Sequence, residues 1–209
     1  MQAITPLEYG YTYHIYNRGI NSADIFTCNA NYKRFLDLYH QHIGTAADTY
    51  VWVLMRNHFH LLVRIKDKDN LPCQGHQTYP VRVKDPDRVN VNPSRQFSHL
   101  FNAYAQYFNK YTNRHGGLFE TPFKRIRVSS DDYFRRLVYY IHHNPVRHGF
   151  AENLTDWEWS SYWSITCIEP SDLHSEMVSD YFGGAAEFKA YHQEEDKQDL
   201  RDIEKLILE

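Results

Sequence analysis

Residues 50–66 constrain the fold of this chain more than any other stretch. Tyr50 to Met55 (YVWVLM) is a short continuous apolar run, as expected for a central strand. His58 to Lys66 (HFHLLVRIK) reads as a further strand. The period of two sends Phe59, Leu61 and Val63 to one side and His58, His60 and Leu62 to the other. Arg56-Asn57 between the runs is a tight turn or part of one longer strand. On the N-terminal side, Tyr11 to Asn17 (YTYHIYN) alternates as a strand and ends in the turn residues Asn17-Arg18-Gly19. Asn31 to Ile43 follows with helical patterning. On the C-terminal side, Phe97, Leu100, Phe101, Tyr104, Phe108 and Tyr111 repeat at helical spacing behind Ser94, a candidate cap. Leu118 to Val128 is a strand or a pair of short extended pieces. Ser130 or Asp131 then caps a helix expected to run to about His143 and to stop near Pro145. The order β-α-β-β-α-β-α predicts an α+β fold, a sheet layered with helices.

The chain has 209 residues, 42% of them hydrophobic and 23% charged, enough for one ordinary domain and an extension. No run of about eighteen apolar residues is present, so no membrane span is expected. The N-terminus lacks the basic start and apolar stretch of a signal peptide. Cys28, Cys73 and Cys167 show no C-x-x-C spacing, and a reducing cytoplasm is the expected location. The net charge of -3 hides a strong asymmetry. Residues 81–150 carry 12 Lys/Arg against 5 Asp/Glu, whereas residues 151–209 carry 4 against 15. Lys124, Arg125, Arg127, Arg135, Arg136 and Arg147 form the centre of the basic part, which suits a polyanion or a plain solvated face. Asp67 to Pro93 is long and polar, with four prolines, and reads as an irregular excursion with a short hairpin. Glu187 to Glu209 reads as a charged amphipathic helix.

His58 and His60 lie on the same strand face, roughly 7 Å apart at Cα, and their imidazoles can converge on one ion. A third, oxygen ligand would suit Mg2+ or Mn2+. Two histidines on an exposed strand face also occur without function. A histidine-triad hydrolase needs a third histidine where Leu62 stands, no H-E-x-x-H is present, and structural zinc lacks its cysteines.

In residues 131–144 (DDYFRRLVYYIHHN) Phe134, Leu137, Val138 and Ile141 form one apolar face. Tyr140 lies on its flank, about 110° from the centre, and Asn144 sits one turn on along that flank. Tyr139 lies on the opposite flank. A tyrosine working beside Asn144 is therefore Tyr140, although both tyrosines also fit as ordinary boundary residues. His142 and His143 are candidate ligands by residue type; His143, three residues after Tyr140, is the better placed of the two and ranks below Asn144 because it points further toward solvent.

These residues carry a resemblance. Asn57-His58-Phe59-His60-Leu61-Leu62 resembles the HUH motif of single-strand DNA transposases and relaxases. Tyr140-Ile141-His142-His143-Asn144-Pro145-Val146-Arg147-His148-Gly149 is similar to the Tyr-Ile-x-x-Asn-Pro-Val-x-x-Gly segment of REP-associated tyrosine transposases. Tyr13 to Gly19 matches their first strand, and Trp157 to Tyr162 resembles their Trp-Ser-Ser-Tyr element. Gly117-Leu118-Phe119-Glu120 stands where they carry Gly-x-Leu-Trp-Gln, a departure at Phe119 and Glu120. The resemblance covers about residues 9–165.

The resemblance implies a ferredoxin-like, RRM-like antiparallel sheet with helices on one face and the HUH strand in the middle. The expected organisation is a catalytic domain over 1–165, including the loop 67–93, and an acidic, partly helical extension over 166–209. It implies metal-dependent nicking and strand transfer of single-stranded or hairpin DNA through a 5′-phosphotyrosine. Tyr140 would be the nucleophile; His58, His60 and Asn144 would hold Mg2+ or Mn2+. Lys124, Arg125, Arg127, Arg135, Arg136 and Arg18 would contact DNA phosphates. The alternatives are a hairpin-binding regulator derived from a transposase, which holds DNA or RNA without cutting, and a phosphodiesterase with a water nucleophile. Homodimer and monomer both stay open, and no general base for Tyr140 is evident.

Overall fold

A computed structural model describes residues 6–68, 92–166, 175–193, 200 and 203. Strands β1 (Thr12–Arg18), β2 (Ala47–Leu54), β3 (His58–Ile65) and β4 (Lys124–Arg127) form one antiparallel sheet of order β2-β3-β1-β4. Helices α1 (Asn29–Ile43) and α2 (Pro93–Thr112) provide the β1-β2 and β3-β4 crossovers. This is the ferredoxin-like arrangement, with the paired-histidine strand central. Arg56-Asn57 is a tight turn, closed by Met55 N–H donating to the His58 carbonyl at 2.8 Å.

Both faces of the sheet are covered, where one had been expected. Tyr13, Ile15, Phe59, Leu61 and Val63 bury against α1 and α2. Val51, Val53 and Leu62 bury against α3 (Asp131–Arg147), joined by Tyr162 of α4 (Tyr162–Thr166), Val178 of α5 (Ser175–Asp180) and Phe188 of α6 (Ala185–Gln193). The second face is apolar because β2 and β3 place hydrophobic residues on both sides, and such a surface must be buried. Among the described residues no helix is long and apolar enough to cross a membrane.

Three boundaries differ from expectation. Helix α2 is capped by Asn92, whose Oδ1 accepts from Arg95 N–H at 3.1 Å, and Ser94 lies inside the helix. Pro93 has a fixed φ and no N–H to lose, so the first helical position falls on it. The stretch from Leu118 forms a ladder only over β4, with Phe119 making an isolated bridge to Gly19. Pro122 between them has no N–H for a ladder. Helix α3 runs through Pro145 to Arg147, because a proline in the last turn costs only one ladder bond. The loop over 67–93 and the tail over 187–209 fall largely outside the described residues.

Two motif segments have a clear structural task. Gly19 N–H donates to the Asn57 carbonyl at 2.9 Å, and a Cβ there would stand 2.1 Å from the Ala23 carbonyl oxygen, so only glycine fits. The Trp159-Ser160-Ser161 backbone runs along the outer edge of β2, exchanging bonds at Leu54 N–H to Trp159 O and Ser161 N–H to Trp52 O, both 2.9 Å. That segment covers an edge which would otherwise present unpaired backbone groups.

Ser130 begins α3 by accepting from Tyr133 N–H at 3.2 Å, with Asp131 and Asp132 in the first turn. Ser130→Ala is expected to cost about 1 kcal/mol of stability. Urea denaturation checks this, and an unchanged midpoint would show that the cap is not used.

Candidate active site

The site grows out of strand register. His58, His60 and Leu62 share the sheet face covered by α3. On β1, Arg18 stands opposite His58, Tyr16 opposite His60 and His14 opposite Leu62, so three β1 side chains join the same face. Helix α3 crosses above them. The Tyr140 and His60 rings meet edge to face with centroids 5.6 Å apart, and His58 and His60 do so at 5.2 Å. His148, at the end of α3, approaches His58 with centroids at 5.3 Å. These groups open into a cleft of about 710 Å³ that Arg18, Asn57, Arg147 and Phe150 also line. Gly149, at φ 71°, turns the chain after α3 so that Phe150 N–H reaches the Pro145 carbonyl at 2.8 Å, which sets Phe150 at the cleft.

Burial decides the protonation states. The His58 pKa falls to about 4, first through desolvation and then through neighbouring His148, with Asn144 acting in the opposite direction. His60 lies well below the ordinary histidine range, through desolvation and then His14, His58 and His148. Both imidazoles are therefore neutral at neutral pH, the form that offers a lone pair. The His58 Nδ1–H donates to Asn57 Oδ1 at 2.7 Å, which leaves Nε2 as its lone-pair nitrogen. His60 Nδ1 faces His14 Nε2 at 2.9 Å. Burial raises the Tyr140 pKa, while Asn144 and Arg147 pull it down. Tyr16, stacked on His60, is pushed up to about 12, by burial first and then by Tyr133 and Tyr140.

Asn144 offers the site one buried polar atom. Its Nδ2 donates to the Tyr140 carbonyl at 2.9 Å, while its Oδ1 is buried with no hydrogen-bond partner. A buried acceptor without a donor is uncommon in a folded chain and fits a group that takes a cation. Among the described residues no three His, Cys, Asp or Glu side chains gather as a metal site. Two imidazoles and an amide oxygen would be the protein donors to a divalent ion at this place, with the oxygen the part that suits Mg2+ or Mn2+.

The structure brings Tyr140, His58, His60, Asn144 and Arg18 together. Tyr139 faces away, stacked on His143 at 3.7 Å and edge-on to Tyr191 of α6. His142 is buried outside the cleft between His192 Nε2 (2.9 Å) and Ser161 Oγ (3.0 Å). The cations divide. Lys124 pairs with Tyr16 across β1 and shares the cleft's sheet face. Arg125 and Arg127 lie on the other face, Arg125 over the Phe123 ring and bonded to Ser94, Arg127 over the Tyr11 ring and paired with Glu8. Arg135 and Arg136 approach Asp132 at 3.9 Å near the start of α3. Arg18 is paired with Glu120 at 3.3 Å. His14, Tyr16, Asn57, His148 and Phe150 belong to the site without having been singled out from the sequence. The Tyr-His-Ile-Tyr-Asn-Arg alternation held the signal for the β1 residues, but the identity of the neighbouring strand was not in it.

An antiparallel sheet with two histidines on an inner strand and the Tyr140 helix laid across them defines a class: ferredoxin-like folds with a paired-histidine cleft beneath a helix. No family model matches the chain. A protein of Haemophilus influenzae, assigned by name to the REP-associated tyrosine transposases, is 24% identical over 144 residues, 68% of this chain and 70% of that protein. A solved structure of a REP-associated tyrosine transposase bound to a REP hairpin shares the fold, with a TM-score of 0.54 and 15% identity, over 78% of this chain and 84% of the other. The sequence match and the fold match support the family that the motifs resemble, the REP-associated tyrosine transposases.

Proposed function

We propose that this chain nicks and rejoins single-stranded or hairpin-flanked DNA through a covalent link to Tyr140. The observation that carries the reading is the meeting of Tyr140, His60 and His58 at one cleft, with the Asn144 side chain close enough to act on both His58 and Tyr140. The hairpin bound by the structural neighbour supports the ligand class. Tyr140 Oη attacks phosphorus and the bond from phosphorus to the 3′ oxygen breaks. The phenol loses its proton, and the departing oxygen leaves as a 3′-OH. The 5′-phosphotyrosine keeps the energy of the phosphodiester, so a later 3′-OH can attack it, restore the DNA link and release Tyr140 without ATP. A divalent ion, Mg2+ or Mn2+, held by His58, His60 and Asn144 would neutralise charge on the scissile phosphate. Asn57 holds the His58 ring in orientation, and Arg18 and Arg147 at the cleft contact flanking phosphates, with Lys124 extending that surface.

The test is incubation with single-stranded and hairpin oligonucleotides and Mn2+, followed by mass spectrometry of the protein. A mass increase mapped to Tyr140 is expected. Cleaved product without an adduct would point to a water nucleophile, and hairpin retention without cleavage to a binding-only protein; either result sinks the reading. Affinity should fall steeply with salt. Arg147→Ala is expected to weaken binding across all sequences and to reduce the slope of log K against log salt by about 0.7 for single strands. An unchanged slope in a fluorescence titration would remove Arg147 from the phosphate contacts.

A further inference from the structure

His14 is fully buried on β1, and its ring stacks on His60 with centroids 5.1 Å apart. Its Nε2 lies 2.9 Å from His60 Nδ1, and its own Nδ1 is buried without a hydrogen-bond partner. Tyr16 stacks on both rings, at 4.8 Å from His14 and 5.7 Å from His60, and holds the pair in place. A hydrogen bond between two ring nitrogens needs one donor and one acceptor. If His14 donates, the single ring proton of neutral His60 sits on Nε2, and no lone pair is left for an ion. If His60 donates, Nε2 carries the lone pair. His14 Nδ1 lacks a partner in both arrangements, so ligation at His60 decides between them.

We propose that His14 is a positioning residue for the paired-histidine site: its Nε2 accepts the Nδ1–H of His60 and so keeps His60 Nε2 open to a divalent cation. This rests on the metal-dependent reading above. An outer partner that fixes a ligand's tautomer typically contributes ten- to a hundredfold to metal affinity. His14→Phe keeps a ring of similar bulk but offers no acceptor. His14→Gln presents an amide oxygen near the position of Nε2.

Two measurements test it. Electron paramagnetic resonance of Mn2+ should show affinity falling about 10- to 100-fold in His14→Phe and returning to within severalfold of wild type in His14→Gln. Long-range proton–nitrogen correlation spectra of wild type loaded with Mg2+ should place the His60 proton on Nδ1. Wild-type affinity in a folded His14→Phe, or a proton on His60 Nε2 in the loaded protein, overturns the role of His14 alone. Failure of wild type to bind either ion overturns the metal reading along with it. If His14→Phe does not fold, the Gln variant and the tautomer measurement decide.

Discussion

Phenylalanine in place of Tyr140 is expected to erase the covalent adduct and to lower cleavage at least about a thousandfold while leaving the fold intact. The substitution removes only Oη. The ring keeps its edge-to-face contact with His60, and Asn144 keeps its bond to the Tyr140 carbonyl, since that bond uses the backbone. Hairpin affinity should stay within about threefold, because binding energy comes from phosphate contacts elsewhere. Tyr139→Phe is the matched control: its ring packs on His143 and Tyr191, away from the cleft, and cleavage should persist. A Tyr140→Phe protein that still cuts, or a Tyr139→Phe protein that does not, would overturn the assignment. The pH dependence follows from burial. A Tyr140 pKa above the ordinary tyrosine value means a smaller phenolate fraction at neutral pH than in free tyrosine. Where phenolate formation limits the rate, cleavage should climb about tenfold per pH unit above neutrality, and a flat profile would exclude a phenolate-limited step.

The second large effect is loss of stability in mild acid. His14, His60, His142 and His192 are all buried and neutral. Desolvation is the leading cause in each case, and it lowers His14 and His192 to about 3. A histidine whose folded pKa lies below its unfolded value of about 6.5 binds fewer protons when folded. Its stabilising contribution is therefore complete above about pH 6.5 and is lost as pH falls from there toward the folded value. His14 and His192 each forfeit on the order of 2 kcal/mol by pH 5, and His60 and His142 act in the same direction, so together they remove a large part of the stability of a typical domain. Urea denaturation followed by circular dichroism at pH 7, 6 and 5 should show a steep fall in stability and unfolding near pH 5. Equal stability at the three pH values would mean that these side chains accept protons without leaving their places. The two hydrogen-bonded pairs sit at different seams. His14 and His60 join β1 to β3, and His142 and His192 join α3 to α6.

The residues of the cleft were legible to different degrees. His58 and His60 could be placed on one face because side-chain alternation is a property of any strand, whatever surrounds it. Tyr140 could be separated from Tyr139 because a helix turns by a set angle per residue, so the apolar face of α3 determines where its flanks point. The same geometry puts Asn144 on the flank of Tyr140, while its part in the site was implied by the resemblance. His14 and Tyr16 escaped notice although the strand carrying them was recognised, since their importance depends on β1 lying against β3 in a register that puts Tyr16 opposite His60. His148 and Phe150 depend on the turn at Gly149, and the ends of helices are set by local capping and packing more than by periodicity. The cations show the same limit from the other side. Lys124 through Arg127 form a basic run in sequence, but strand alternation sends Lys124 to the cleft's face and Arg125 and Arg127 to the other.

The sequence by itself determined the order β-α-β-β-α-β-α, the α+β class and the face on which each candidate side chain lies, because these follow from short-range periodicity and backbone sterics. Only the tertiary structure decided which faces meet. It laid α3 over β3, covered the second side of the sheet with the C-terminal helices and set His14 against His60. Those contacts join residues 46 to 80 positions apart, and they form through burial of apolar surface that has no direction of its own.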